Sequence, residues 1–158
     1  MQKTIAIAAC AAAVFCGTIQ AQQSSGVPEG YIALLRSDVQ AKKTDIIRQN
    51  MTLSGDQAQK FWPLQRSYEQ DLTKLGDQRL SVIRDYAKNW DNLSDATAKD
   101  LGVRLLDYQK KRVDLRKKYF KRFSKDTTPI VAAKFFQVET QLESLIDLEI
   151  GSSLPLIK

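Results

Sequence analysis

The sequence predicts an all-α fold, and three observations support this class. Apolar residues recur at intervals of three and four over long stretches, residues suited to cap helices stand where those stretches begin, and no run shows the alternation of a β-strand. With 158 residues the chain can form one domain with a sizeable core. We predict a signal peptide over 1–21, a polar lead-in over 22–30 and a single all-α domain over 31–158.

The first segment has the pattern of a secretory signal peptide. A basic start at Lys3 is followed by an apolar run from Ile5 to Phe15 and by small and polar residues up to Ala21. This run is shorter than the roughly 20 residues that span a bilayer. We therefore expect export to the periplasm with cleavage after Ala21. A lipid anchor on Cys16 is the less favoured alternative, because the bulky Phe15 precedes it.

The composition argues against an enzyme. Cleavage would remove both cysteines, and the chain contains no histidine, so the common nucleophile–base pairs and thiolate chemistry are missing. The sequence also lacks a glycine-rich phosphate-binding loop, and no cofactor is expected. Cleavage would leave 23 of the 24 Lys and Arg residues against 18 Asp and Glu, a basic balance.

Two amphipathic helices are predicted in the first half of the domain. The first runs from Tyr31 to about Gln49, and the second from Gly55 towards Trp90. Pro63 cannot donate a hydrogen bond to the carbonyl four residues back, so we expect a bend in the second helix. Its apolar row, interrupted by Arg79, consists of Phe61, Leu64, Tyr68, Leu72, Leu75, Val82, Ile83, Tyr86 and Trp90.

Two further helices are predicted in the second half. The third, capped by Ser94, runs from Asp95 to about Phe123, and the fourth has Pro129 at its first position and Gly151 as a left-handed cap. The predicted rows are Leu101, Leu105, Tyr108, Leu115 and Tyr119, with Leu106, Val113, Phe120 and Phe123 beside them, and then Val131, Phe135, Val138, Leu142 and Leu145. Together these patterns predict long antiparallel helices that form a bent helical hairpin.

The start of the second helix carries the most specific local motif. The Ser54 hydroxyl can accept a bond from the Gln57 N–H while the Gln57 side chain reaches back to the Ser54 N–H, which is a capping box. With Leu53, these residues resemble the LTxxQ signature of a family of periplasmic helical proteins of the Spy/CpxP type. Ser54 stands where the family usually has Thr, and a second copy of the motif is degenerate because Thr97 replaces Gln.

The resemblance implies a cradle-like homodimer that works as a chaperone or stress adaptor. It also implies a possible docking role for Leu53, Ser54 and Gln57, beside the structural role that the capping pattern assigns to them. The wide apolar faces of the long helices independently favour a homodimer. Family members that bind zinc or nickel use histidines, which this sequence lacks.

The third helix concentrates positive charge. From Lys110 to Lys125 it carries nine basic residues against one acid, with aromatic residues interleaved. In the cytosol this pattern would suit nucleic acid, but export argues against that partner. We expect a surface that holds unfolded or partly folded client proteins without ATP, although part of the run can equally be a solvated helix face with rings in the core. The expected contact residues are Arg112, Arg116, Lys117, Tyr119, Phe120 and Lys121.

The fourth helix carries acidic residues at every fourth position. Glu139, Glu143 and Asp147 share one face, and their oxygen atoms suit calcium or magnesium. We favour an acidic face paired with the basic third helix, and no metal site is predicted. Two other functions stay open: a regulatory protein that docks on the sensor domain of a membrane histidine kinase, and a structural helical module of the envelope.

Overall fold

The computed structural model describes residues 41–157, and this part of the chain forms four α-helices and no strand. Helix α1 covers 41–50, α2 is Gly55–Asn89, α3 is Asp95–Asp126 and α4 is Pro129–Ser153. A short 3₁₀ turn, Trp90–Asn92, links α2 to α3. The predicted all-α class is confirmed. The predicted signal peptide, the lead-in and the start of the first helix lie outside the described residues.

Hydroxyl caps set the starts of the three long helices. Ser54 accepts the backbone N–H of Gln57 at 3.3 Å, and the Gln57 side chain accepts the Ser54 N–H at 3.0 Å, so the predicted capping box is confirmed. The Ser94 hydroxyl accepts the backbone N–H of Thr97 at 3.2 Å and so caps α3, as predicted. Thr128 caps α4, and Pro129 occupies the first turn, where its missing N–H costs nothing.

The prediction that Gly151 ends the fourth helix is wrong. The helix continues to Ser153, and none of the residues described has a positive φ. The hydroxyls of Ser152 and Ser153 each donate to the carbonyl three residues earlier, at 2.9 and 2.8 Å. These bonds satisfy carbonyls of the last turn, so no left-handed cap is needed there. Helix α2 continues through Pro63, and the bend at that residue stays a prediction.

The three long helices pack antiparallel in chain order. Contacts of α2 with α3 join Asp71 to Lys118 and Asp85 to Arg104, so residue numbers rise on one helix as they fall on the other. Contacts of α3 with α4 follow the same rule, because Arg116 meets Glu143 and Arg112 meets Asp147. Helix α4 therefore returns along the hairpin of α2 and α3.

An aromatic core fills the end of the molecule where α4 begins. Its most deeply buried rings belong to Phe61, Tyr68, Tyr119, Phe123 and Phe135, each at most 2% exposed. Neighbouring rings lie 4.6 to 5.7 Å apart between centroids, mostly edge-on or tilted. This is the geometry that the ring quadrupoles favour, so the contacts add to the free energy of burial.

Parts of the predicted apolar rows face solvent instead. Leu145 of α4 is 65% exposed, because the inward positions beside it belong to Glu139 and Glu143. Residue 145 follows Glu143 by two positions, which is about 200° around the helix. On α3, Leu105, Leu106, Val113 and Phe120 are at least 39% exposed.

The C-terminal tail lies against the far end of α2. The Tyr86 hydroxyl donates to the Pro155 carbonyl at 2.7 Å, and the Trp90 indole N–H donates to the Leu156 carbonyl at 3.2 Å. The side chains of Leu156 and Ile157 themselves stay exposed. The tail is thus anchored through its main chain.

Among the helices of residues 41–157, none combines the length and hydropathy that crossing a membrane requires.

Replacing Phe135 by Ala should lower the free energy of unfolding by roughly 3–5 kcal/mol, because it opens a cavity among four rings. Chemical denaturation monitored by circular dichroism would measure the loss. Val103→Ala is the matched control, since Val103 is 59% exposed and its loss should stay within about 0.5 kcal/mol. A loss below about 1 kcal/mol in Phe135→Ala would contradict this view of the core.

Candidate functional site

The basic run of α3 divides into an inner and an outer part. Five of its nine basic residues form ion pairs with acidic side chains: Lys110, Lys111, Arg112, Arg116 and Lys118. Arg122 lies over the Tyr119 ring, with its guanidinium carbon 4.9 Å from the centroid. Much of the charge that the sequence displays is therefore balanced within the protein.

Arg112 and Arg116, two of the predicted contact residues, face α4. Arg116 lies 2.7 Å from the Glu143 carboxylate and also donates to the Thr140 hydroxyl. Arg112 lies 3.0 Å from Asp147. Burial opposes the charge of Arg112, but Glu143 and Asp147 outweigh it and raise the pKa of this guanidinium above its ordinary value. Both arginines cross-link two helices.

Tyr119 is a core residue and not a surface contact, which corrects its assignment. Its side chain is 2% exposed, and its hydroxyl donates to Asp71 of α2 at 2.9 Å. Burial raises the pKa of Tyr119, and the bond to Asp71 raises it further, so the hydroxyl stays a donor. The residue fixes the rotation of α3 against α2.

The acidic face of α4 pairs with the basic third helix at two of its three predicted positions, and at Glu139 the prediction is wrong, because that residue pairs with α1. Glu143 and Asp147 bind arginines of α3. Within residues 41–157, no group of three acidic residues has the arrangement of a metal site. Each carboxylate of this face lies against at least one cation.

The partner of Glu139 could not be predicted, because it comes from α1. The Lys43 ammonium lies 2.6 Å from Glu139 and 2.8 Å from Glu69, and the two side chains of the shorter pair are 6% and 0% exposed. Burial raises the pKa of Glu139 to about 7, although Lys43 acts in the opposite direction. In the sequence Lys43 precedes the apolar Ile47 by four residues, which places both on one face of α1 but does not indicate the partners of Lys43.

Arg79 also has a role that the sequence analysis missed. It appeared as a polar interruption of the apolar row of α2, but its guanidinium lies 2.5 Å from Asp147. Arg79 and Arg112 both lie over the ring of Tyr108, at 5.9 and 5.7 Å. One carboxylate and one ring thus join three helices.

The outer face of α3 is the candidate binding surface. We define it by Leu106, Val113, Lys117, Phe120 and Lys121. The three apolar members are 65, 48 and 39% exposed and recur every seven residues, so they form one row along the helix. Neither Lys117 nor Lys121 forms an ion pair within residues 41–157, although Lys117 adds to the effect of Lys110 in lowering the pKa of Asp114. Three of the predicted contact residues, Lys117, Phe120 and Lys121, lie together here.

The residues of the family motif have structural positions. Ser54 and Gln57 form the cap of α2, and Leu53 packs against the aromatic core. Their geometry matches the structural assignment made from the sequence.

Replacing Arg116 by Met should lower the free energy of unfolding by roughly 3 kcal/mol, because it leaves the buried Glu143 carboxylate without its cation. Denaturation curves would measure the change. Adding Glu143→Gln should recover part of the loss, since the unpaired charge is then gone. Lys117→Met, the neighbouring control, should stay within about 0.5 kcal/mol. Equal losses for the two single variants would contradict the inner assignment of Arg116.

The chain matches no protein-family model, and no curated protein or solved structure is significantly similar to it. The resemblance to the LTxxQ family therefore stays a prediction that rests on Leu53, Ser54 and Gln57.

Proposed function

We propose that this protein works in the periplasm as a binding protein that holds unfolded or partly folded clients without ATP, on the outer face of α3. The observation that carries the proposal is the row Leu106, Val113 and Phe120, exposed on α3 beside the exposed Lys117 and Lys121. Apolar side chains in such a row are a binding surface more often than scattered ones are.

The surface suits weak binding of many sequences. The lysines attract acidic segments over a distance of about one Debye length, and the apolar row then makes loose contacts with whatever apolar residues follow. The row consists of a leucine, a valine and a phenylalanine and forms no deep pocket, which favours binding of many different sequences over selective binding of one. A chaperone that does not hydrolyse ATP needs binding of this kind.

The assignment to the periplasm rests on the pattern of residues 1–21. It sets the class of client, because an exported protein meets unfolded envelope proteins and not nucleic acid.

The second candidate is a regulatory protein that docks on the sensor domain of a membrane histidine kinase. A seven-residue spacing is the spacing by which one helix packs along another, and this favours a single helical partner over many. Saturable, tight binding to one folded domain would distinguish this function from a chaperone.

Charge reversal of the outer face should weaken the suppression of aggregation. A denatured model client would be diluted with the protein and without ATP, and light scattering followed. We expect Lys117→Glu with Lys121→Glu to require on the order of tenfold more protein for the same suppression, because it repels acidic segments.

The control for that experiment is Lys60→Glu with Lys134→Glu, which changes the net charge equally at exposed positions on α2 and α4. It should suppress aggregation like the original protein. Equal suppression by both double variants would show that the client-binding site lies elsewhere on the protein. No suppression by the original protein would refute the chaperone proposal and leave the regulatory one.

We also propose a homodimer that uses the outer side of α4. Leu145 and Leu148 are 65 and 70% exposed there, and the single lysine of α4, Lys134, lies about three turns before Leu145. Sedimentation equilibrium should give twice the chain mass, and Leu145→Glu with Leu148→Glu should give the monomer. A monomeric original protein at micromolar concentration would refute this proposal.

A further inference from the structure

Glu139 lies at the meeting point of four helices. Its side chain is fully buried, one oxygen accepts from Lys43 of α1 at 2.6 Å, and the other oxygen has no donor within the described part of the chain. The other ionisable groups that act on it are Tyr68 and Glu69 of α2 and Glu143, one turn further along α4. Glu143 in turn lies against Arg116 and close to Arg112, both of α3.

Two carboxylates of this interior share one cation. Glu69 and Glu139 both lie against Lys43, whereas Glu143 has Arg116 at 2.7 Å and Arg112 nearby. A buried carboxylate whose charge is only partly compensated is unfavourable, and binding a proton removes that charge. Tyr68 adds no charge here, because burial and the nearby carboxylates raise its pKa and keep the hydroxyl neutral.

We propose that Glu139 binds a proton inside the folded chain, and that this proton couples the docking of α1 to pH, so that α1 is held more firmly at pH 5 than at pH 8. The coupling follows because α1 covers the site. Helix α1 is attached through Lys43 and Ile47 on one face, while its other residues are mostly exposed.

The direction follows from proton linkage. With α1 docked, the pKa of Glu139 is about 7; with α1 released, water reaches the carboxyl and its pKa falls towards the ordinary value of 4.5. The docked form therefore binds the proton more tightly, and this stabilisation is complete below about pH 4.5 and lost as the pH rises through 7. Between pH 8 and pH 5 the docking equilibrium should shift on the order of ten- to a hundredfold.

Lys43 does not reverse this direction. Burial lowers its pKa, but Glu139 and Glu69 outweigh burial and hold the pKa above its ordinary value of 10.5. The ammonium stays charged across the whole interval. Once Glu139 is protonated, Lys43 keeps its ion pair with Glu69 at 2.8 Å, so α1 retains a charged anchor at low pH.

Hydrogen exchange of the full chain tests the proposal. Protection factors of the amides in 43–50, corrected for intrinsic exchange rates, should rise on acidification from pH 8 to pH 5, while those at the centre of α3 change much less. In Glu139→Gln, which keeps the shape but cannot titrate, the protection of 43–50 should be independent of pH. Glu149→Gln, an exposed position on the same helix, should behave like the original protein.

The coupling would be overturned if the protection of 43–50 in the original protein did not depend on pH, or if it changed as much as the protection of α3. It would also be overturned if the pH dependence remained in Glu139→Gln. Because Glu139→Gln can fail to fold, a second measurement uses the unaltered chain. The side-chain carboxyl carbon of Glu139, followed by NMR, should titrate with a midpoint near 7, and a midpoint near 4.5 would overturn the proton site. Neither measurement depends on client binding.

Discussion

The structure depends on the burial of two glutamates, Glu139 and Glu143, on the inner face of α4. A buried carboxylate needs a cation at close range, and here the cations come from other helices: Lys43 from α1 and Arg116 from α3. Asp147, one turn further, draws Arg79 from α2 as well as Arg112 from α3. The ion pairs are directional contacts, so they fix the position of each helix along its neighbours more closely than the ring contacts of the core do.

The sequence predicted what is decided locally. Ser54, Gln57 and Ser94 act within one turn of the chain, so the starts of α2 and α3 could be assigned from a few letters. The predicted end of α4 at Gly151 was wrong, because two serine hydroxyls donate to carbonyls of the last turn and no glycine cap is needed. The exposure of Leu145 could not be foreseen either, since leucine belongs in an apolar row and glutamate does not unless a distant cation compensates it.

The candidate site shows the same limit more sharply. The sequence does not distinguish the nine basic residues of α3 from one another. Which of them face α4 and which face solvent depends on the rotation of α3 about its axis, and the hydrogen bond from Tyr119 to Asp71 helps to fix that rotation. That rotation turns Arg112 and Arg116 inward and leaves Lys117 and Lys121 outside. Lys43 was beyond prediction for a different reason: its partners Glu69 and Glu139 are 26 and 96 positions away along the chain. Contacts at such separations leave no periodic trace.

The way in which the C-terminal tail is anchored affects which positions can be substituted without loss of the contact. Tyr86 and Trp90 bind the main-chain carbonyls of Pro155 and Leu156, and every residue type offers such a carbonyl. Substitutions in the tail would therefore leave its attachment intact, whereas the two aromatic positions on the other side of the contact are constrained. At this end of the molecule we therefore expect α2 and its following turn to tolerate fewer substitutions than the tail does.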